Sequence, residues 1–384
     1  MKTAVYNNAI GNSAEIIQNG GLVAVPTETV YGLAASGLNE EAVKKIYEVK
    51  GRPSVKPLSL MVSGPKAMDD YCHDVPAAAR ILAERFWPGP LTIVLKAKSQ
   101  IPLIVLAGGS TVGLRCPDSE LTLSLIRQSG LPLAAPSANP SGAPSPKTAD
   151  EVISYFDGAI DAVIDGGPCT LGTESTILDF SSGLRVLREG VLLKDKRIIG
   201  ITGQSGAGKT TALDVIRDAG GVVIDCDDLY HKMLSCNEEL NAALKKTFPS
   251  CYENGSLNRK ALAKIVFSDS EKLSRLNAIT HDFIQGEVCS IILSGKPGLY
   301  AIDAVELISS DINAICDFTV GITAPEEDRI KRIMLRDGIS HEAASERVKA
   351  QKPEEYYLAN CDRTIRNNSD MNSFQKEFAE ICQI

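Results

Sequence analysis

The chain has 384 residues, 44% of them hydrophobic and 23% charged, with a formal net charge of −8. That length suits two domains, and the composition is that of an ordinary globular chain with enough apolar residues for a sizeable core, which excludes fibrous and disordered classes. Cut at Asp195, the first part carries 17 basic and 20 acidic residues (−3) and the second 23 and 28 (−5), so neither has the overall basic excess of a dedicated nucleic-acid binder.

The first half alternates short strands and helices. Residues 22–25 read as a buried strand stopped by Pro26, and residues 39–49 as a helix with Glu40 and Glu41 at its start and Val43, Ile46 and Tyr47 on one stripe. A strand is expected at 91–95 after the turn Trp87-Pro88-Gly89-Pro90, a helix at 121–128, and strands at 131–135 and 161–164. This mixture predicts a sheet domain of α/β or α+β type over residues 1–195, with α/β the fold class expected of the chain.

Several segments of this half hold residues that core packing does not select. Pro26-Thr27-Glu28-Thr29-Val30-Tyr31-Gly32 places hydroxyls at a strand end, and Lys50-Gly51-Arg52-Pro53 puts two cations on a turn after a helix. Ala135-Pro136-Ser137-Ala138-Asn139, Glu174-Ser175-Thr176 and Leu187-Arg188-Glu189-Gly190 complete the set. Lys and Arg near Ser and Asn suit a polyanion, with hydrogen bonds from the neutral partners. Taken singly, the same residues read as solvated charges and turn contacts.

Only Lys194-Asp195-Lys196-Arg197 separates this half from the next apolar strand, residues 198–202, with no Gly/Ser or Pro-rich tether. The octapeptide Gly203-Gln204-Ser205-Gly206-Ala207-Gly208-Lys209-Thr210 follows, and a helix is expected at 211–218. A strand, a glycine-rich loop and a helix form the setting of a Walker A phosphate cradle. In that cradle Lys209 reaches the β- and γ-phosphates and the Thr210 hydroxyl ligates Mg²⁺. The expected ATP contacts are Gly203, Ser205, Gly206, Ala207, Gly208, Lys209, Thr210 and Thr211.

Further on, Val222-Val223-Ile224-Asp225-Cys226-Asp227-Asp228 is a strand ending in carboxylates, suited to activating an acceptor hydroxyl, to holding Mg²⁺, or to capping a helix. Strand 299–303 ends at Asp303, a Walker B-like partner for Mg²⁺ through water. Arg329, Arg332 and Arg336 recur at helical spacing, either as a solvated face or as a closing lid over phosphates. Arg347 and Gln351 are expected one turn apart on the next helix. Residues 196–384 therefore predict a P-loop domain: a parallel sheet, flanking helices and a helical lid.

The ten cysteines are scattered without a C-x-x-C pair, so neither a disulfide framework, a zinc site nor a redox motif is expected. The Met1-Lys2-Thr3 start lacks a signal-peptide apolar core and no run approaches a membrane span, which predicts a cytoplasmic protein with no membrane partner.

The N-terminal segments, with Phe86-Trp87-Pro88-Gly89-Pro90-Leu91-Thr92 and Val112-Gly113-Leu114-Arg115-Cys116-Pro117, resemble the YrdC-type L-threonylcarbamoyladenylate synthase family over roughly residues 10–192. The resemblance implies a twisted α/β sheet domain with a positively charged concave face. The implied reaction joins L-threonine, bicarbonate and ATP into threonylcarbamoyl-AMP and pyrophosphate, for threonylcarbamoyladenosine modification of tRNA. Partners would then include tRNA or tRNA-modification proteins. By resemblance Lys50, Arg52, Ser137, Asn139, Ser145 and Arg188 hold ATP, with Thr111 nearby, and Thr29, Arg115 and Ser175 bind threonine, Arg115 pairing its carboxylate. Lys56 stands where some members have Asn, and Met61 near where they have a histidine. No general base emerges from this half.

The C-terminal features resemble dephospho-CoA kinase over about residues 197–375. The matching segments are the Walker loop, Asp225 with Asp227, Leu257-Asn258-Arg259, Ile279-Thr280-His281, Arg347 with Gln351, Cys361-Asp362 and Ile365-Arg366-Asn367. The resemblance implies transfer of the ATP γ-phosphoryl group to the ribose 3′-hydroxyl of dephospho-CoA. Asp225 would be the base, with Asp227 nearby. Arg329, Arg332, Arg336 and Arg347 would meet phosphates, and Asn367 the adenine. Two places depart from that family: Ala304-Val305-Glu306-Leu307-Ile308 replaces a Pro-Leu-Leu-Phe-Glu-like segment, and Asp282 follows the histidine where proline is usual.

Other readings predict other features. A non-catalytic RNA-binding module needs a basic cleft but not Ser137, Asn139 and Ser175 beside Lys50 and Arg52. A carbamoyl-transfer protein of the hydrogenase-maturation type carries zinc-finger and acylphosphatase segments that do not occur in this sequence. A different nucleotide or metabolite kinase competes for the second half, as does a nucleotide sensor. A GTPase calls for an Asn-Lys-x-Asp motif, which the sequence does not contain.

Overall fold

A computed structural model of the chain describes residues 2–7, 9–253 and 256–384. The chain divides into two compact units, Met1–Lys194 and Asp195–Ile384.

The first unit is built on a ten-stranded mixed sheet. Its spatial order is Ala4–Tyr6, Ala162–Ile164, Val23–Val25, Gly32–Ser36, Leu133–Ala134, Ser59–Met61, Thr111–Arg115, Leu91–Lys96, Thr176–Asp179 and Arg185–Arg188. Strands Val23–Val25 and Gly32–Ser36 are buried along their whole length, as continuous apolar runs require when both faces are covered. The loop between them is buried too, so its backbone needs internal partners. Thr27 supplies them: its hydroxyl donates to Val30 O at 2.7 Å and accepts from the N–H groups of Thr29 and Val30.

The helix expected at 39–49 forms as Glu40–Lys50, with Asn39 Oδ1 accepting from Ala42 N and Gly51 closing it at φ 57°. That cap delivers Lys50 at the last helical position. The strand expected at 131–135 is shorter, Leu133–Ala134. Pro132 has no N–H to give the ladder, and its carbonyl is taken by Gly37 N–H.

The second unit carries a five-stranded, all-parallel sheet in the order Val222–Asp225, Gly298–Asp303, Lys196–Gly203, Phe318–Thr323, Arg363–Arg366. Its apolar strands pack with Leu213 and Ile216 of helix Lys209–Asp218 and with Phe374 and Phe378 of helix Met371–Cys382. Each large side chain buried there contributes about 1.5–3 kcal/mol. The helix after the Walker loop begins at Lys209, two residues earlier than the apolar pattern indicates, because Gly208 at φ 110° turns the chain directly into it.

Parallel register sets the site. Asp303 pairs with Ile201 on one side and Asp225 on the other, so the carboxylates and the Walker loop emerge from the same sheet edge. Helices Glu326–Asp337 and His341–Lys349 pack through Ile330, Ile333, Ala344 and Val348 into a separate small cluster. Among the described residues no helix is long and apolar enough to cross a membrane.

Candidate active sites

A cleft of about 390 Å³ in the first unit gathers Thr29, Arg52, Arg115, Ser137, Ser175 and Arg188 from six separate segments. Arg115 ends strand Thr111–Arg115 and is almost buried. Its Nη2 lies 2.8 Å from Glu28 Oε1 and 2.9 Å from Thr29 Oγ1, while Glu28 Oε2 accepts Asp118 N–H at 3.0 Å. Arg188 is anchored on the opposite pair: Nε donates to Ser175 O at 2.8 Å, Nη2 to Ser175 Oγ at 2.9 Å, and Nη1 to Glu174 Oε2. Thr92 Oγ1 lies 2.9 Å from Ser175 Oγ, closing a hydroxyl pair at the floor.

The other expected residues sit behind or away from this cleft. Lys50 is 3% exposed and donates to the carbonyls of Ser137 and Asn139, so it holds the loop that presents Ser137. Burial, then the nearby Arg52 charge, push its ammonium down to about 8, against an opposing pull from Glu174. Asn139 turns its amide nitrogen to Pro140 O and Ala143 O. Ser145 donates to Glu174 Oε1 at 3.0 Å. Thr111 pairs with Lys96 at the far end of the strand from Arg115, and it is not among the residues lining the cleft. Arg52 does line it, braced on its own turn by the carbonyls of Lys56 and Pro57.

In the second unit a cleft of about 750 Å³ is lined by Gly203, Ser205, Gly206, Gly208, Lys209, Thr210 and Asp303. A Cβ at Gly203 would stand 2.2 Å from Ile322 O, and one at Gly208 2.3 Å from Asn367 Nδ2; the loop can lie this close to its supports only with glycine there. Asn367 is buried and donates to Ala207 O at 2.8 Å, so its amide braces the loop from beneath. Ala207 is wholly buried, and Thr211 falls outside the lining.

Arg329 and Arg332 are not part of a solvated face, whereas Arg336 and Arg347 remain more than half exposed. Arg329 is 4% exposed; its Nε donates to Ser205 O at 3.1 Å and its Nη2 to Gln351 Oε1 at 2.6 Å. The same Gln351 oxygen accepts Ser205 N–H at 3.0 Å. Gln351 lies beyond the end of helix His341–Lys349, not on it as its spacing from Arg347 suggests, and this is what lets it turn back to the loop. Arg332 Nη1 donates to Gly206 O at 3.1 Å. Arg332, Arg336 and Arg347 line the cleft, whereas Arg329 does not; Asp337 pairs with both Arg336 and Arg347.

The carboxylates divide the work. Asp225 caps helix Cys226–Cys236, its Oδ1 accepting the N–H groups of Asp227 and Asp228 at 2.9 and 3.0 Å. Asp227 lines the phosphate cleft and also a side cavity of about 160 Å³ with Tyr230, His281 and Glu306. Asp303 lies 4.0 Å from Lys209 Nζ, and its buried Oδ1 has no hydrogen-bond partner among the described residues. Burial raises its carboxyl to about 6; Lys209 opposes this, and Asp225 and Asp227 add to it. Burial also holds His281 below its usual range, opposed by Glu306 and Asp311.

A family model described as telomere recombination, of the YciO/YrdC group, matches residues 15–190, and one described as dephospho-CoA kinase matches residues 197–373. The chain is 47% identical over 189 residues to a threonylcarbamoyl-AMP synthase of Bacillus subtilis, covering 49% of this chain and 55% of the relative. It is 46% identical over 175 residues to one from Pyrococcus abyssi, covering 46% and 52%. A protein of Methanocaldococcus jannaschii named for the same activity is 40% identical over 177 residues, covering 46% of this chain and 83% of that protein. The chain is a fusion of these two families. It spans about half the length of the first two relatives.

Glu28 and Glu174 have no expected role from the sequence, although both lie in the polar strand-end segments of the YciO/YrdC half. Their signal was a carboxylate beside a hydroxyl residue. In the kinase-family half Gln351 and Glu306 were visible only as motif residue and departure; their placement depends on how the chain turns after a helix and after a strand.

Proposed function

We propose that the chain is a bifunctional enzyme with two ATP sites. Residues 1–195 form a synthase domain that joins L-threonine, bicarbonate and ATP into threonylcarbamoyl-AMP and pyrophosphate, a product taken up for tRNA modification. Residues 196–384 form a kinase domain that transfers the ATP γ-phosphoryl group to the 3′-hydroxyl of dephospho-CoA in the cytoplasm. The observation that carries this reading is that one chain holds two separate clefts lined by Lys and Arg side chains, one with a Walker loop and one without.

In the synthase cleft Arg115 and Thr29 suit the threonine carboxylate, and Arg52, Ser137 and Arg188 suit the nucleotide phosphates. The threonine amine and bicarbonate condense to N-carboxythreonine with loss of water, and its new carboxylate attacks the α-phosphate while pyrophosphate leaves. Positioning and charge neutralisation carry most of that step.

In the kinase cleft Lys209, Arg332 and Arg336 offset the charge of the phosphates. Asp227, which reaches both the phosphate cleft and the side cavity, is better placed than the helix-capping Asp225 to take the acceptor proton. Among the described residues no group of three His, Cys, Asp or Glu side chains forms a ready cage for a metal. Thr210 and the unpartnered Asp303 oxygen instead suit Mg²⁺ held through water and substrate phosphates, and the ion would offset phosphate charge.

Paired assays on the full chain test the reading: threonine- and bicarbonate-dependent pyrophosphate release, and dephospho-CoA-dependent ADP release. Lys209→Ala is expected to abolish the second and leave the first. Loss of both activities in that variant would show that the two sites are not independent.

A further inference from the structure

Two cations of the N-terminal cleft are each gripped by a carboxylate that the proposed chemistry does not use. The Arg115–Glu28 pair has side chains 9% and 7% exposed. Glu28 ties it into the fold through Asp118 N–H, and Arg115 Nη2 is committed to Glu28 and Thr29. Among the described residues no hydrogen bond engages Arg115 Nη1, and the residue lines the cleft. Arg188 is held on a different carboxylate. Nε and Nη2 lie on Ser175, Nη1 lies on Glu174, and Glu174 also takes the Ser145 hydroxyl.

A guanidinium has five N–H groups in a planar fork. Three of those on Arg188 are spent on Ser175 and Glu174, which leaves one on each terminal nitrogen for an anion. The plane of the fork is therefore fixed before any substrate arrives. An arginine without such anchors spends rotamer freedom when it binds.

Resting on the synthase reading above, we propose that Glu28 and Glu174 are positioning residues, each dedicated to one substrate. Glu28 sets Arg115 for the amino-acid carboxylate, and Glu174 sets Arg188 for the nucleotide phosphates. Ser145, whose proton is given to Glu174, belongs to the second set as a brace. A carboxylate beside a phosphate site also repels the incoming anion, so the sign of the effect on ATP is itself diagnostic. Pre-organisation requires that removing Glu174 weaken ATP; simple repulsion requires that it strengthen ATP.

The test is a double dissociation in pyrophosphate release by the full chain, a readout specific to this cleft because phosphoryl transfer in the other yields ADP. Glu28→Gln is expected to raise the KM for threonine about tenfold with the KM for ATP within about twofold, and Glu174→Gln to do the reverse. Glu28→Asp keeps the charge in case the Gln variant does not fold, and it should show the threonine effect in smaller measure. Two KM values that move together, no movement in a folded variant, or a lower KM for ATP in Glu174→Gln would each overturn the assignment. An unmodified chain without threonine-dependent pyrophosphate release overturns the synthase reading and this inference with it. An active parent whose variants show no split overturns this inference alone.

Discussion

Asp303 and Asp225 stand opposite each other in register on neighbouring parallel strands, yet only Asp303 lines the phosphate cleft. Asp225 commits one carboxylate oxygen to the first turn of the next helix, and the acid that reaches the cleft is Asp227, two residues on. Strand register brings the acids to one edge; the cap then decides which of them lines the cleft.

This division separates two substitutions that the sequence treats as equivalent. Asp227→Asn is expected to lower the kinase kcat by about 100-fold or more with little change in melting temperature, the loss of a general base. Asp225→Ala is expected to cost about 1 kcal/mol of stability through the lost cap, with a smaller effect on kcat. Steady-state ADP release and thermal melts of both variants check this; a larger kcat loss in Asp225→Ala would return the base to Asp225.

Asp303 makes stability depend on pH. Its carboxyl is raised to about 6 in the folded chain, above the usual 3.8, so the folded state binds the proton more tightly than the unfolded one. The proton-linked contribution is full below about pH 4, falls as pH rises through 6, and is gone above that. Asp303→Asn is therefore expected to stabilise the second unit at pH 7 by up to about 3 kcal/mol, with no gain at pH 4, while abolishing kinase activity. Denaturant melts without nucleotide or divalent ion at the two pH values measure the difference; an equal effect at both would remove Asp303 as its source.

Lys50 and Arg52 are neighbours on one turn with different work. Lys50→Ala strips one buried and one part-buried carbonyl of their donor and is expected to destabilise the first unit by about 1–3 kcal/mol. Arg52→Ala, in the open cleft, is expected to leave the melting temperature nearly unchanged and raise the KM for ATP about tenfold in pyrophosphate release. Matching melts for the two variants would show that Lys50 is not the brace its contacts describe.

Much of this molecule was legible before folding. The Walker octapeptide, its strand and its helix are local, and so are the Asn39 cap and the apolar runs that became the parallel sheet, because neighbours in sequence decide backbone conformation and burial period. What failed was equally local in cause. A proline shortened the strand around Leu133, and helical spacing extrapolated past Lys349 put Gln351 on a helix that had already ended.

The sequence by itself determined two α/β halves and a Walker loop, and it pointed to the residue types two anion sites would use, since motifs encode chemistry at fixed spacing. Only the tertiary structure decided which of those residues line a cleft. Lys50, Arg329 and Asn367 read as ligands but are turned inward to brace loops, while Glu28 and Glu174 emerge as partners of the arginines. The physical reason is that a buried cation or amide must satisfy its donors, and the groups that satisfy it come from segments far apart in the chain, whose meeting no local pattern records.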